Sequence, residues 1–164
     1  MAAAVETKLK PRSMIPAFQL MSAEGRPVNT WDYKGRMNMV LAFLPGEGDA
    51  GSPEFIRTVA KMYHQYEEED AVFIGIVRGG VERANSLRDE LHPPFPILYD
   101  ESGEVTGRYT DALPAVFVAD RFGELYAQWV VGAGGLFPSQ KEVLDVLELI
   151  NLECPECGAP LDWT

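Results

Sequence analysis

Cysteine and histidine are scarce in this chain. Of its 164 residues, two are cysteine and two are histidine, and both cysteines fall within Cys154-Pro155-Glu156-Cys157. The framework of paired cysteines that holds many small secreted domains together is therefore excluded, and the composition favours a reducing, cytoplasmic compartment. Cysteine chemistry, if the chain has any, must come from this one motif.

Positive charge and long apolar runs are also in short supply. Fourteen Lys and Arg oppose 25 Asp and Glu, which gives a net charge of −11 at pH 7. Binding to a phosphate backbone depends on clustered cations, and a membrane-spanning helix needs ~20 apolar residues in succession. We therefore expect neither a nucleic-acid partner nor a membrane span.

Strand-like and helix-like segments alternate along the chain. The apolar run from Asn38 to Leu44 predicts a strand buried on both faces at the sheet centre. The apolar spacing from Pro53 to Glu68 predicts a helix with Ser52 as its N-cap. Further strands are predicted at 15–20, 71–77 and 95–99, a hairpin at 115–130, and helices at 81–91, 104–109 and 140–152. This order predicts one α/β domain with a mainly parallel inner sheet.

The boundaries of this domain follow from where the alternating pattern starts and stops. Residues 1–12 show no periodicity and are predicted to be a flexible lead-in. Residues 13–152 contain all the predicted elements and form the domain. Residues 153–164, which carry both cysteines, form a short tail.

Four segments of the predicted domain resemble one known family in their order and spacing. They are Ile15-Pro16-Ala17-Phe18-Gln19-Leu20, Tyr33-Lys34-Gly35-Arg36, Phe95-Pro96-Ile97-Leu98-Tyr99-Asp100 and Phe117-Val118-Ala119-Asp120. Similar stretches occur in peroxiredoxins, the alkyl hydroperoxide reductase and thiol-specific antioxidant (AhpC/TSA) family. The resemblance implies a thioredoxin-like, three-layer α/β fold with a central mixed sheet, and an antioxidant redoxin function.

The resemblance also implies where the reacting residues of that family would fall. Counting from Pro45, the family's threonine position holds Asp49, its peroxidatic cysteine position holds Ser52, and its glutamate is kept as Glu54. The position of the family's arginine holds Pro114. Peroxide reduction needs a thiolate that becomes a sulfenic acid. We therefore expect a degenerate site without ordinary peroxidase activity, kept as a binding or assembly module.

Two of these positions allow a functional and a purely structural interpretation. Ser52 is expected to cap a helix. As the nucleophile of a hydrolase it would need a base within hydrogen-bond reach. Of the two histidines, His64 lies about 18 Å along the predicted helix and His92 begins a proline-rich turn. Pro114 resembles the cis-proline of thioredoxin-like redox proteins and is expected to be cis. It would then either help to dock an extended peptide or thiol substrate, or simply start a strand.

The tail motif Cys154-Pro155-Glu156-Cys157-Gly158 resembles one knuckle of a zinc ribbon or rubredoxin. Two thiolates separated by two residues can hold one tetrahedral metal, zinc or iron. A closed site needs four ligands, so the second pair must come from another chain in a homodimer, from a partner protein or from outside ligands. The alternatives are a redox dithiol made of Cys154 and Cys157, or free thiols without a function.

Overall fold

The computed structural model describes residues 7–46 and 51–153, and a seven-stranded sheet forms the centre of this part of the chain. The strands are β1 (Gln19–Ser22), β2 (Pro27–Asn29), β3 (Asn38–Pro45), β4 (Ala71–Arg78), β5 (Ile97–Tyr99), β6 (Ala115–Ala119) and β7 (Leu125–Val130). Their order is β2-β1-β5-β4-β3-β6-β7. Strands β3, β4 and β5 are parallel, whereas the pairs outside them are antiparallel. The predicted mixed sheet with a parallel centre is confirmed.

Helices cover both faces of this sheet. They are α1 (Gly51–Lys61), α2 (Tyr63–Glu68), α3 (Val81–Leu91), α4 (Glu104–Tyr109) and α5 (Gln140–Leu152), with a 3-10 turn at Thr30–Asp32. Side chains from α1, α2, α3 and α5 pack in one core cluster, and α4 packs with the segment before β1 in the cluster on the opposite face. The predicted three layers are thus present. Within the described ranges, no helix is long and apolar enough to cross a membrane.

Strand β3 supplies side chains to both core clusters. Its first seven residues are buried, and because successive side chains point to opposite faces, Val40, Ala42 and Leu44 join one cluster while Leu41 and Phe43 join the other. The Phe43 ring lies 4.6 Å from the ring of Tyr109 and 5.6 Å from that of Phe117. The continuous apolar run of the sequence is therefore explained by burial on both faces.

The predicted first strand differs from the observed one. β1 begins at Gln19 rather than Ile15, although Ile15 itself is buried in the core. The backbone N–H of Ile15 donates to the carbonyl of Gly123 at 2.9 Å, at the β7 side of the sheet, and Pro16 has no N–H to continue a ladder. The chain crosses from there to β1. The predicted turn at Glu24-Gly25 is present, with Gly25 at φ +81°.

The helix predicted from Pro53 to Glu68 is also different in detail. It begins at Gly51, so the prediction that Ser52 is the N-cap is wrong: Ser52 lies within the first turn. Pro53 is tolerated there because the first N–H groups of a helix have no intrahelical acceptor. The helix is interrupted at Met62, whose φ of −108° and ψ of 13° leave the helical region, and α2 follows.

Residues 7–12 contact the domain, although the sequence predicts a flexible lead-in there. Lys8 forms an ion pair with Asp111 at 2.7 Å, and the carbonyl of Leu9 accepts a hydrogen bond from the side chain of Gln128 at 2.8 Å. The backbone N–H of Arg12 donates to the carbonyl of Leu125 at 2.9 Å. This segment therefore lies along the outer edge of β7. Residues 1–6 are outside the described ranges.

Helix α5 ends at the amino end of β3. The buried side chain of Asn38, the first residue of β3, donates to the side chain of Asn151 at 3.1 Å and to the carbonyl of Glu69 at 3.0 Å, and it accepts from the N–H of Arg121 at 3.1 Å. Asn151 in turn donates to the same Glu69 carbonyl at 2.8 Å. These bonds place the end of α5 and the β6–β7 turn at one edge of the sheet.

Truncation of a β3 side chain tests the two-sided core. Leu41→Ala is expected to lower the free energy of unfolding by about 2–5 kcal/mol, because it leaves a cavity in a fully buried cluster. Leu136→Ala, which changes a side chain that is 93% exposed, is the matched control and should change stability by less than about 0.5 kcal/mol. Urea denaturation measures both; equal effects would contradict this description of the core.

Candidate functional site at the carboxyl edge of the sheet

The carboxyl ends of β3 and β4 and the start of β6 form one edge of the sheet, here called the carboxyl edge. Pro45 at the end of β3 pairs with Arg78 at the end of β4. Because Phe43 pairs with Ala115 in the antiparallel β3–β6 ladder, Pro114 lies beside the end of β3. Helix α1 begins six residues after Pro45. Open α/β sheets bind ligands at this edge.

Ser52 and Glu54 share the first turn of α1 but lie in different environments. Ser52 is fully buried, at the end of the helix where backbone N–H groups and the dipole favour negative charge. Glu54 is exposed and accepts a hydrogen bond from Arg57 at 2.7 Å, and Arg57 also lies 3.7 Å from Glu90 of α3. Exposed pairs of this kind contribute little to stability. The Glu54 carboxylate therefore belongs to a surface ion cluster.

Pro114 is buried at the start of β6, and the Leu113–Pro114 peptide bond is cis as predicted. Its carbonyl accepts hydrogen bonds from the N–H groups of Val131 at 3.0 Å and Gly132 at 3.2 Å. These bonds attach the segment after β7 to the start of β6. The carboxyl edge is thereby continuous from α1 across β3 and β6 to the segment that leads to α5.

Two further residues of this edge are absent from the sequence predictions. A Cβ atom added to Gly46 would lie 2.5 Å from the carbonyl oxygen of Arg78, so the loop after β3 touches the end of β4 at a point where only glycine fits. The Arg78 guanidinium extends over Gly103, just before α4. The position of Arg78 as the last residue of a parallel strand is the signal that could have indicated it.

An open cleft of about 250 Å³ adjoins the first turn of α1. Its walls include Glu54 and Thr58 of α1 and Ser139 before α5. Its apolar floor comes from Phe55 and Phe137, whose rings stack at 4.4 Å. No local pattern indicates Phe137, because its contact depends on how the segment before α5 packs against Phe55 of α1. An apolar cleft with polar groups at its rim is the common form of a binding site.

The remaining predicted site residues, Asp49, Cys154 and Cys157, lie outside the described residues. The last described residue, Glu153, follows α5 at the opposite edge, and β3 spans the eight residues between the two edges, about 23 Å. The structure thus places Ser52, Glu54 and Pro114 together and the start of the cysteine tail far from them.

The histidines and the acidic residues of the described ranges contribute no recognisable centre. His64 lies in α2, beyond the interruption at Met62 and not on one continuous helix with Ser52 as predicted, and it is exposed. His92 is exposed at the end of α3 with φ +44°. Among the described residues, no group of three or more His, Cys, Asp or Glu side chains is arranged to hold a metal ion.

Comparison with known proteins identifies the family. Residues 11–128 match the model of the AhpC/TSA family. The chain belongs to the AhpC/TSA family. A relative with 26% identity over 154 residues is the chloroplastic peroxiredoxin Q of Sedum lineare, and the match covers 88% of this chain and 79% of that protein. The predicted resemblance is confirmed.

Solved structures establish the thioredoxin-like fold of this AhpC/TSA member. Peroxidoxin BcpB from Mycobacterium tuberculosis superposes with a TM-score of 0.77 at 18% identity, covering 87% of this chain and 98% of the other. A secreted disulfide oxidoreductase from Mycobacterium tuberculosis superposes with a TM-score of 0.66 at 19% identity, covering 80% and 95%. At these identities the similarity concerns the fold alone.

A glycine substitution tests the close approach at the carboxyl edge. Gly46→Ala is expected to lower the free energy of unfolding by about 1–3 kcal/mol, because its methyl group would overlap the Arg78 carbonyl. The control is Gly107→Ala in α4, where a Cβ meets no atom within 4 Å and helix propensity should add up to about 1 kcal/mol of stability. Thermal or urea unfolding measures both. A neutral Gly46→Ala would contradict the contact.

Proposed function

We propose that this AhpC/TSA-family protein does not reduce hydroperoxides and serves as a binding or assembly module. The observation that carries the proposal is the buried serine, Ser52, in the first turn of α1 at the carboxyl edge. It occupies the position that the family resemblance assigns to the peroxidatic cysteine. Asp49 and Pro114 stand at two further reacting positions, and Glu54 alone is retained.

The chemistry of the hydroxyl group supports a non-peroxidase function. Peroxide reduction begins when a thiolate attacks the O–O bond; the sulfur becomes a sulfenic acid and the leaving oxygen takes a proton. A helix N-terminus promotes this step by stabilising the thiolate. A serine hydroxyl stays protonated at neutral pH and has no comparable oxidation product. The helix N-terminus at Ser52 therefore has no thiolate to stabilise.

The position of the tail argues against replacement of the missing thiol from within the chain. Cys157 is four residues beyond Glu153, which gives a reach of about 14 Å. The two edges of the sheet are separated by β3, about 23 Å. Neither cysteine of the same chain can therefore take the place of a thiol at Ser52.

The cleft beside α1 is the binding surface that we assign to this module. Phe55 and Phe137 provide apolar area, while Glu54, Thr58 and Ser139 provide polar groups at its rim. Such a surface suits an extended peptide, which buries apolar side chains and satisfies its polar groups at the rim. Pro114 belongs to the same carboxyl edge.

Peroxide consumption provides the first test. The purified protein should consume neither hydrogen peroxide nor an organic hydroperoxide with thioredoxin or dithiothreitol as the reductant, and the Cys154→Ser, Cys157→Ser double variant should behave identically. Ser52→Cys should form a sulfenic acid that dimedone traps, because the helix N-terminus favours the thiolate; Ser86→Cys, on the exposed surface of α3, is the matched control. Cysteine-dependent turnover by the unmodified protein would contradict the proposal.

The tail motif is proposed to hold a metal between two chains. Cys154 and Cys157 of one chain supply two thiolates, and the same pair of a second chain completes a tetrahedral zinc or iron site. Such a site would stabilise a homodimer and would serve assembly.

A thiol–disulfide oxidoreductase is the second candidate function. It is favoured by the similarity in fold to a disulfide oxidoreductase and by the presence of both cysteines in one Cys-X-X-Cys motif. In this case, Cys154 and Cys157 would alternate between a dithiol and a disulfide by thiol–disulfide exchange with a partner protein. The first cysteine follows directly after the end of α5, and the carboxyl end of a helix does not lower the pKa of a nearby thiol.

Native mass spectrometry under non-reducing conditions distinguishes the two candidates. The proposed module should appear as a dimer with one metal ion, and the Cys154→Ser, Cys157→Ser double variant should lose both the metal and the second chain. An oxidoreductase would instead lose two hydrogens per chain, and thioredoxin would restore them. A metal-free protein with a reversible internal disulfide would overturn the metal-holding assignment.

A further inference from the structure

An apolar patch with a cationic rim lies at the edge of the sheet opposite Ser52. It consists of the side chains of Met14, Trp31 and Phe122, here called the basal patch, which are 57%, 60% and 46% exposed. Together with Gly123 they line one small cavity of about 40 Å³. The methyl group of Met14 packs on Gly123, where an added Cβ would lie 3.0 Å from it. Large apolar side chains gathered at an exposed cavity mark an interaction site.

Two cations stand over the aromatic rings of this patch. The ammonium of Lys34 lies 4.0 Å from the ring centroid of Trp31, and the guanidinium of Arg121 lies 5.6 Å from that of Phe122. In the described part of the chain, neither cation lies within salt-bridge distance of a carboxylate. In a protein with a net charge of −11, such a patch fits an occupant with apolar and acidic side chains.

The described chain ends beside this patch. Glu153 accepts a hydrogen bond from the hydroxyl of Tyr126 at 2.6 Å and lies 3.7 Å from Arg12. The Arg12 guanidinium also donates to Glu124 at 2.9 Å, and Glu124 forms a β-bridge with Met14. Met14 of the basal patch is therefore paired with Glu124, which binds the same Arg12 side chain as Glu153. Burial and the hydrogen bond to Glu153 raise the pKa of Tyr126, whose hydroxyl is the donor in this contact.

We infer that residues 154–164 of the same chain occupy the basal patch. This segment contains Leu161 and Trp163 as apolar side chains and Glu156 and Asp162 as acids, with no Lys or Arg. Its eleven residues have a reach of up to about 36 Å from Glu153, and Glu153 is joined to the patch through Arg12, Glu124 and Met14. The apolar side chains cover the cavity and the acids pair with Lys34 and Arg121.

This placement assigns a location to the cysteine pair. Cys154 and Cys157 precede Leu161 and Trp163, so anchoring of the latter holds the pair at the basal edge, beside Glu153. The pair is then directed to another molecule rather than to the carboxyl edge of its own chain. The inference concerns only where the segment docks, and it holds whether the thiols bind metal or form a disulfide.

Paramagnetic labelling tests the inference on the full chain. Cys154→Ser leaves Cys157 as the one thiol, and a nitroxide maleimide attached to it broadens nearby NMR signals. We expect loss of the Trp31 indole signal and of the Phe122 and Gly123 amide signals, with Gly79 and Gly103 at the carboxyl edge unaffected. Trp163→Ala should restore the lost signals. Leu136→Ala, which changes an exposed apolar side chain elsewhere, should leave them lost.

Two outcomes would overturn the inference. Broadening that is confined to the end of α5 and is the same in Trp163→Ala would mean that the segment does not dock. The second outcome comes from a mixture of isotope-labelled chains without nitroxide and nitroxide-bearing chains of natural isotope content. If the isotope-labelled chains lose the same signals, the patch is occupied by the segment of a second copy. The NMR signals of each substituted protein before the nitroxide is attached show whether that protein remains folded.

Discussion

The architecture depends on the burial of β3 on both of its faces. Six of its seven buried residues belong to the two core clusters, with Val40, Ala42 and Leu44 on one side and Met39, Leu41 and Phe43 on the other. The helices on both faces pack against those clusters. A strand buried in this way is central, and its length separates the two edges of the sheet.

That separation divides the molecule into two chemically different ends. At the carboxyl edge, the end of β3 leads into α1, whose first turn contains Ser52 and borders the cleft of Phe55 and Phe137. At the opposite edge, Asn38 binds the end of α5 and the β6–β7 turn. The carboxyl edge holds Ser52, the position that the family resemblance assigns to the peroxidatic cysteine, whereas the last described residue, Glu153, lies at the opposite edge.

Regular elements were predictable wherever one local signal dominated. The limits of α3 and α4 and the strands of the β6–β7 hairpin agree with the predicted ranges, because their apolar spacing is uninterrupted and turn residues bound them. The Ser139 capping box likewise opens α5 as predicted. The segment around Ile15 was mistaken for strand since its burial comes from contacts with the β7 side, and alternation alone does not identify the partner. Ser52 was placed one position outside its helix because proline is compatible with several positions of a first turn.

What the sequence determined by itself was the order of the elements, the family resemblance, and the residue types at the positions that this resemblance assigns to the family's reacting residues. These properties depend on residue type and short-range spacing, which a single sequence contains in full. Only the tertiary structure decided that Gly46 touches Arg78, that Phe137 stacks on Phe55, and that α5 delivers Glu153 to the edge opposite Ser52. Each of these contacts joins residues far apart in the chain, and each depends on how helices and strands pack across the sheet rather than on any local pattern.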